Sequence, residues 1–342
     1  MEFALTPDQR MMQESIGRTL ERVSPLDAVR EGASAFDALL ELGVPGILIP
    51  ESEGGLGLTL LDAALVAEQL GRHVARTPFI AGAVMAPLAL AGTPYLRKLA
   101  AGAIKAGVAI GEHASGARDG AGITAKGGRL SGTSLFALDA DTADVFIVAD
   151  KFADLYLVER RDATVTALTT IDATRAVAQV DLDCAPAEKL SGSLERMIDA
   201  GRIVLAADTL GAGTRMLEKA VAYAKERKQF GRVIASFQAV KHMCAEMAAE
   251  LEPCRALVWY AGYGFDALPG EARRLAAHAK AHTSEIGQFV ARTATEVHGG
   301  MGFTDLVGLH YWFKRIGFNR QTLGGPERAR DDAARAQGWA GN

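Results

Sequence analysis

From Ser191 onward the chain spaces its apolar residues for helices too long to stand alone. Ile203, Ala207, Leu210, Thr214, Leu217 and Val221 share one stripe; Phe237, Val240, Cys244, Met247, Leu251, Cys254 and Val258 share another. A loop near Gly231 separates them, so the two stripes are buried most simply by folding back on each other. That predicts an antiparallel helical bundle, completed by residues 271–297. Pro253 is expected to kink or end the second helix.

Upstream the texture differs. Short runs such as Val145, Phe146, Ile147, Val148 and Leu155, Tyr156, Leu157, Val158 lie between Gly, Asp and Thr turns, the pattern of a small antiparallel β domain. The first third reads as helix again. Thr6, Pro7 and Gln9 form a capping box ahead of Met12, Ile16, Leu20 and Val23, and Thr59 with Asp62 caps a helix through Leu61, Leu65 and Leu70. Phe36, Leu39 and Leu40 mark a further helix, while residues 43–58 mix Pro, Gly and a short apolar run as a structured loop. The expected architecture is α+β: an N-terminal helical domain (1–107), a middle antiparallel β domain (108–190) and a C-terminal helical bundle (191–342).

Composition narrows the function classes. With 37 basic and 41 acidic side chains the net charge is −4, so no overall basic field draws in nucleic acid or anionic membrane. Cys184, Cys244 and Cys254 make no even framework and no metal-like spacing, which suits a reducing compartment such as the cytoplasm. The start, MEFALTP, lacks the basic-then-apolar pattern of a secretory signal. Residues 77–96 are uncharged, but Pro78, Pro87 and Pro94 interrupt them and much of the rest is Ala and Gly. Buried short helices are expected there rather than a membrane span.

Several motifs fail on context. The GxGxxA match from Gly120 to Ala125 has no strand–turn–helix setting. His278 and His282 have ligand spacing without a catalytic Glu between them, and no metal site is expected. Two segments remain. Arg227, Lys228, Gln229, Phe230 and Gly231, followed by Phe237 and Gln238, bring guanidinium, aromatic and amide groups to an interhelical loop. Such groups neutralise a pyrophosphate, stack on a ring and hydrogen-bond an adenine edge. A solvated basic turn fits the same residues. His298 to Thr304 is a glycine-rich break after a helix, suited either to backbone contact with a phosphate or to simple helix termination.

In order along the chain, FALTPDQRMMQESIGRTLER, LGVPGILIPESEGGLGLTLLDAALVAEQLGR, YAKERKQFGRVIASFQAVKH and EVHGGMGFTDLVGLHYWFKR resemble the acyl-CoA dehydrogenase family over nearly the whole chain. The resemblance implies FAD, an acyl-CoA substrate, a tetramer with a four-helix bundle, and electron transfer to an electron-transferring flavoprotein. In that family a glutamate removes the proton next to the thioester and flavin accepts hydride from the next carbon. By the resemblance, Gly324 stands where the usual glutamate would be, and Gly201 where the alternative one would be. The residues that hold the flavin ring are also replaced: Gly111 and Ala117 stand for Thr and Ser, Phe136 and Leu138 for Trp and Thr.

By contrast, the residues that reach a neighbour's FAD are kept: Arg227, Phe230 and Gln238, with Gln229 beside them and Gly299 and Gly300 in the later turn. Glu296 takes the place of a usual glutamine. The resemblance is therefore to the degenerate subunit of heterotetrameric, steroid side-chain type enzymes, with a homologous subunit supplying base and ring seat. Two rivals stand beside it. One is a homotetramer with a relocated base, for which Asp208, two helical turns after Gly201, is the candidate. The other is a flavin-free scaffold of the same fold.

Overall fold

The computed structural model describes residues 4–116 and 118–339. Helices α1 (Pro7–Val23), α2 (Leu26–Arg30), α3 (Phe36–Leu40), α4 (Leu60–Arg72), α5 (Ala86–Ala89) and α6 (Tyr95–Ala100) build the N-terminal region. Both expected capping boxes are formed: Thr6 with Gln9 opens α1, and Thr59 with Asp62 opens α4. The uncharged stretch becomes a π-helical turn, Phe79–Met85, followed by α5 and α6. Its seven residues are all buried. Among the described residues no helix is long and apolar enough to cross a membrane.

The middle region carries β1 (Ala106–Ala109), the short α7 (Gly111–Ser115), β2 (Gly122–Lys126), β3 (Arg129–Leu138), β4 (Val145–Ala149), β5 (Leu155–Glu159), β6 (Thr164–Leu168), β7 (Val177–Pro186) and β8 (Glu188–Leu190). They form one sheet in the order β6-β7-β3-β1-β4-β5-β8, with β2 alongside β3. Pairing is antiparallel except between β1 and β4, which run parallel in register Val108↔Ile147. Alternation divides β4 between two cores. Val145 and Ile147 pack toward the helices; Phe146 and Val148 enter a separate cluster on the other face.

The C-terminal region is α8 (Leu194–Glu226), a hairpin of β9 (Lys228–Gln229) and β10 (Arg232–Val233), α9 (Gln238–Ala267), α10 (Ala272–His298), α11 (Leu309–Gln321) and α12 (Pro326–Ala336). α9 does not end at Pro253. The proline and Ala249, whose carbonyl loses its partner, both face solvent, so water replaces the missing bond and the helix continues. α8 departs from the one-stripe reading, because residues 197–213 are buried on every side. It is the central helix, gripped by α4 and α10. Close approach to α4 needs glycine: a Cβ on Gly211 would strike the Glu68 carbonyl, and one on Gly71 the Asp208 carbonyl.

Candidate functional site

At one end of the bundle α8 closes with Arg227, whose N–H donates to the Tyr223 carbonyl at 2.8 Å. The chain then reverses through Phe230 and Gly231, both at positive φ (51° and 78°), in a two-residue hairpin whose β9–β10 register pairs Gln229 with Arg232. Phe230 is 92% exposed and meets Phe237 edge-on at 6.1 Å; Arg232 lies over the other aromatic at 4.1 Å from its centroid. Arg227 and Gln229 are exposed, the Gln229 amide donating to the Lys228 carbonyl. Gln238 opens α9, exposed, with its amide 3.0 Å from His242 Nε2.

The second glycine segment comes to the same end. Tyr223 of α8 stacks on His298 of α10 at 4.6 Å, which sets the turn after α10 beside the hairpin. Gly299, at φ 57°, and Gly300 are exposed, with open space where a side chain would be, and Glu296 is exposed on the preceding turn. These groups form a cationic, aromatic and amide corner with bare backbone beside it. It fits the diphosphate and adenine end of a dinucleotide.

The ring-holding positions lie elsewhere. A cleft of about 380 Å³ opens between the sheet and the end of α11, and Gly111, Phe136, Leu138 and Leu323 are among its lining. A bulge between Ser134 and Ala137 places Phe136 at φ 55° and turns it toward the cleft. Glu112 braces the bulge, accepting from Leu135 N at 3.1 Å and Ser134 Oγ at 3.2 Å. The Leu135 carbonyl lies where a Cβ on Gly111 would go, so glycine is required there by close approach. Neither Gly111 nor Leu138 offers a side-chain donor, and Ala117 lies outside the described residues. At these positions no side-chain hydrogen-bond donor meets the polar edge of a flavin ring, so they do not fit one; the cleft's polar side chains, Arg118, Thr169, Thr170, Gln321 and Thr322, come from other positions.

Neither base position carries an acid, and each is crowded. A Cβ on Gly201 would collide with Leu323 Cδ1 and come within 3.1 Å of Met85 Sδ. Gly324 stands at φ 94°, and a Cβ there would lie 3.0 Å from the Ala114 carbonyl oxygen and 3.1 Å from Arg202 Nη2. Asp208, the candidate for a relocated base, is corrected by its surroundings. Oδ1 accepts from Arg315 Nε (3.0 Å) and Asn319 Nδ2 (2.6 Å); Oδ2 accepts from Arg315 Nη2 (2.9 Å) and pairs with Arg175 Nη2 at 2.8 Å. Burial pushes its pKa up, but the two guanidiniums outweigh burial and hold it below the ordinary value. A carboxylate so paired, and absent from the cleft lining, is a structural anion and a poor proton acceptor.

The sequence alone did not reveal Leu323, Glu112 or Arg202 as site-shaping residues. Leu323 sits at φ 56°, its carbonyl held by the buried Arg202 Nε at 2.9 Å. The only hint was the Gly-Gly pair that follows it.

Comparison with known proteins gives the lineage. Residues 6–104 match the model for the acyl-CoA dehydrogenase N-terminal domain, and residues 192–338 that for the C-terminal domain. Acyl-CoA dehydrogenase IpdE2 of Mycolicibacterium smegmatis is 30% identical, with 94% of this chain and 96% of that protein aligned. Among solved structures, a variant of the Tcur3481-Tcur3483 steroid ACAD superposes with a TM-score of 0.86 at 27% identity, covering 97% of this chain and 98% of that one. The ChsE4-ChsE5 complex from Mycobacterium tuberculosis superposes at 0.89 and 25% identity over 100% of both chains. The helical entry, the sheet and the bundle with its nucleotide-type corner thus have one common origin: the chain belongs to the acyl-CoA dehydrogenase family.

Proposed function

We propose that this chain is one subunit of a heteromeric, FAD-dependent acyl-CoA dehydrogenase that introduces an α,β double bond into an acyl-CoA. The observation that carries the proposal is that both base seats hold glycine and are crowded, by Leu323 and Met85 at Gly201 and by Ala114 and Arg202 around the left-handed Gly324. A homologous partner supplies the base and the ring seat. This chain supplies the tail grip. Along α8, 26 residues separate Gly201 from Arg227, about 39 Å at 1.5 Å per residue, so the grip serves a dinucleotide whose ring lies outside this chain's own cleft.

In the assembled site Arg227 neutralises the diphosphate, Phe230 covers an apolar face, and Gln238, with Gln229 beside it, hydrogen-bonds the adenine edge. Gly299 and Gly300 bring backbone N–H groups close, and Glu296 accepts from a ribose hydroxyl or amino group. FAD, when bound, supplies a hydride acceptor; the electrons leave to an electron-transferring flavoprotein. Two solved relatives are a steroid ACAD and a two-component complex, which supports a steroid-type acyl group and a heterotetramer. Three free thiols suit the cytoplasm.

Co-expression with a homologous subunit, followed by native mass measurement and flavin counting, tests the reading. The expected result is a mixed tetramer with one FAD for each pair of unlike chains and activity only in the mixture. Stoichiometric FAD and acyl-CoA oxidation by the single chain would overturn it, and a colourless mixed complex would favour a flavin-free scaffold.

A further inference from the structure

The cleft between sheet and α11 is left without a task once the flavin ring is assigned to the partner. Its volume of about 380 Å³ lies in the range of small-molecule sites, which join apolar walls to a few placed polar groups. Val108, Ile110, Leu138, Val177 and Leu323 supply buried walls. Of the polar lining residues, Arg118, Thr169 and Gln321 are exposed and stand at the mouth, while Thr170 and Thr322 are half-buried. Of the described residues that line the cleft, Arg118 alone carries charge.

We propose that this cleft is a binding site in its own right, for a mostly hydrocarbon ligand ending in a carboxylate that meets Arg118 at the mouth. The inference rests on the flavin ring being seated on the partner. Arg118 lies with its guanidinium carbon 5.0 Å from the Phe136 centroid. A guanidinium held over a ring in this way still has N–H donors for a two-point grip on a carboxylate. The bulge that turns Phe136 outward therefore also positions the cation.

Leu323 is the floor and sets the depth. It holds a left-handed conformation that leucine avoids, and such a conformation persists only where its surroundings over-determine it. They do so here. Arg202 binds the Leu323 carbonyl and pairs with Asp332 at 2.7 Å, while the buried Lys280 donates to the carbonyls of Asn319 (2.7 Å) and Arg320 (2.9 Å) just before the turn. Two buried basic side chains thus fix the end of α11 so that Leu323 lies on Gly201. Beyond it are Gly201 and Met85, space a ligand would reach only if Leu323 were shortened.

The test uses parinaric acid, a fluorescent long-chain carboxylate, with the full chain alone and in complex with its partner. Saturable binding of one acid per copy of this chain is expected. Leu138→Trp, which fills the cleft, and Ile171→Glu, which sets a carboxylate at a 67% exposed position of its mouth, should each weaken binding at least about tenfold. Ile171→Glu changes no buried contact, so it decides the matter should the tryptophan variant misfold. Arg118→Gln should weaken the acid and spare the matching alcohol, and Leu323→Ala should tighten binding of longer chains. Absence of saturable binding, or binding indifferent to Ile171→Glu, would overturn the proposal. So would one-for-one displacement of the acid by FAD from the single chain, which would make the cleft a ring seat. Flavin counted in the complex reports separately on the subunit reading: a colourless complex that still binds the acid would sink that reading and leave the cleft site standing.

Discussion

At the scale of single residues, Asp208 shows how spacing can find a face and miss its occupants. Seven positions after Gly201 it does return to the same side of α8, as helical geometry requires. What meets it there comes from far along the chain: Arg175 after the β6 strand, Arg315 and Asn319 from α11. Asp208→Asn would leave two buried guanidiniums short of their anion, and removing one partner of a buried pair costs about 3–5 kcal/mol. Urea denaturation should show that loss, with the mixed complex keeping its activity per folded molecule. A selective fall in turnover at unchanged stability would restore Asp208 as a base. The linkage has a definite sign. The folded pKa is depressed, so the carboxylate's contribution is complete above the ordinary carboxylate value and disappears as the pH falls through the lowered one.

Among elements, those with local causes were legible and those with distant causes were not. The capping boxes at Thr6 and Thr59 need only neighbours three residues away, and both formed as read. The all-round burial of α8 depends on α4 and α10 arriving from two sides, and no stripe on α8 announces it. The Phe136 bulge was invisible because it is set by pairing with β7 and by Glu112, 22 residues from Ser134. The hairpin between α8 and α9 was legible as a loop, and its exposure separates binding from folding. Arg227→Ala should leave the melting temperature nearly unchanged, since exposed substitutions away from special features stay within about 0.5 kcal/mol. FAD retention by the mixed complex should fall roughly 10- to 100-fold, the worth of a hydrogen bond to a charged group. Lysine should restore it only in part, because it lacks the forked donor geometry. Equilibrium dialysis of flavin against wild-type and variant complexes reads the difference, and equal retention would remove Arg227 from the grip.

Across the whole molecule, buried charge joins the three regions alongside an apolar core that runs through all of them. Arg315, wholly buried, donates to Ala75 O before the sheet, to Thr174 Oγ1 within the β region and to Asp208 in the bundle. Asp139 at the end of β3 accepts from Ala81 N, and Asp199 in α8 faces Arg273 of α10. Burial lifts both aspartates from 3.8 to about 6, against the pull of Arg175 on Asp139 and of Arg273 on Asp199. Each therefore holds its proton more tightly folded than unfolded. Between about pH 4 and 6 their contribution to stability falls as the pH rises, and above 6 the whole cost of ionisation is present. His73, His278 and His298 oppose this, because burial lowers their pKa values and acid must protonate them at a cost to the fold. The sign is consequently read from a difference between proteins. Asp199→Asn, which cannot ionise, should gain stability relative to the wild type on going from pH 5 to pH 7, by denaturant titration of both at each pH. A constant gap between the two curves would show that Asp199 ionises as freely folded as unfolded, and that Arg273 offsets its burial in full.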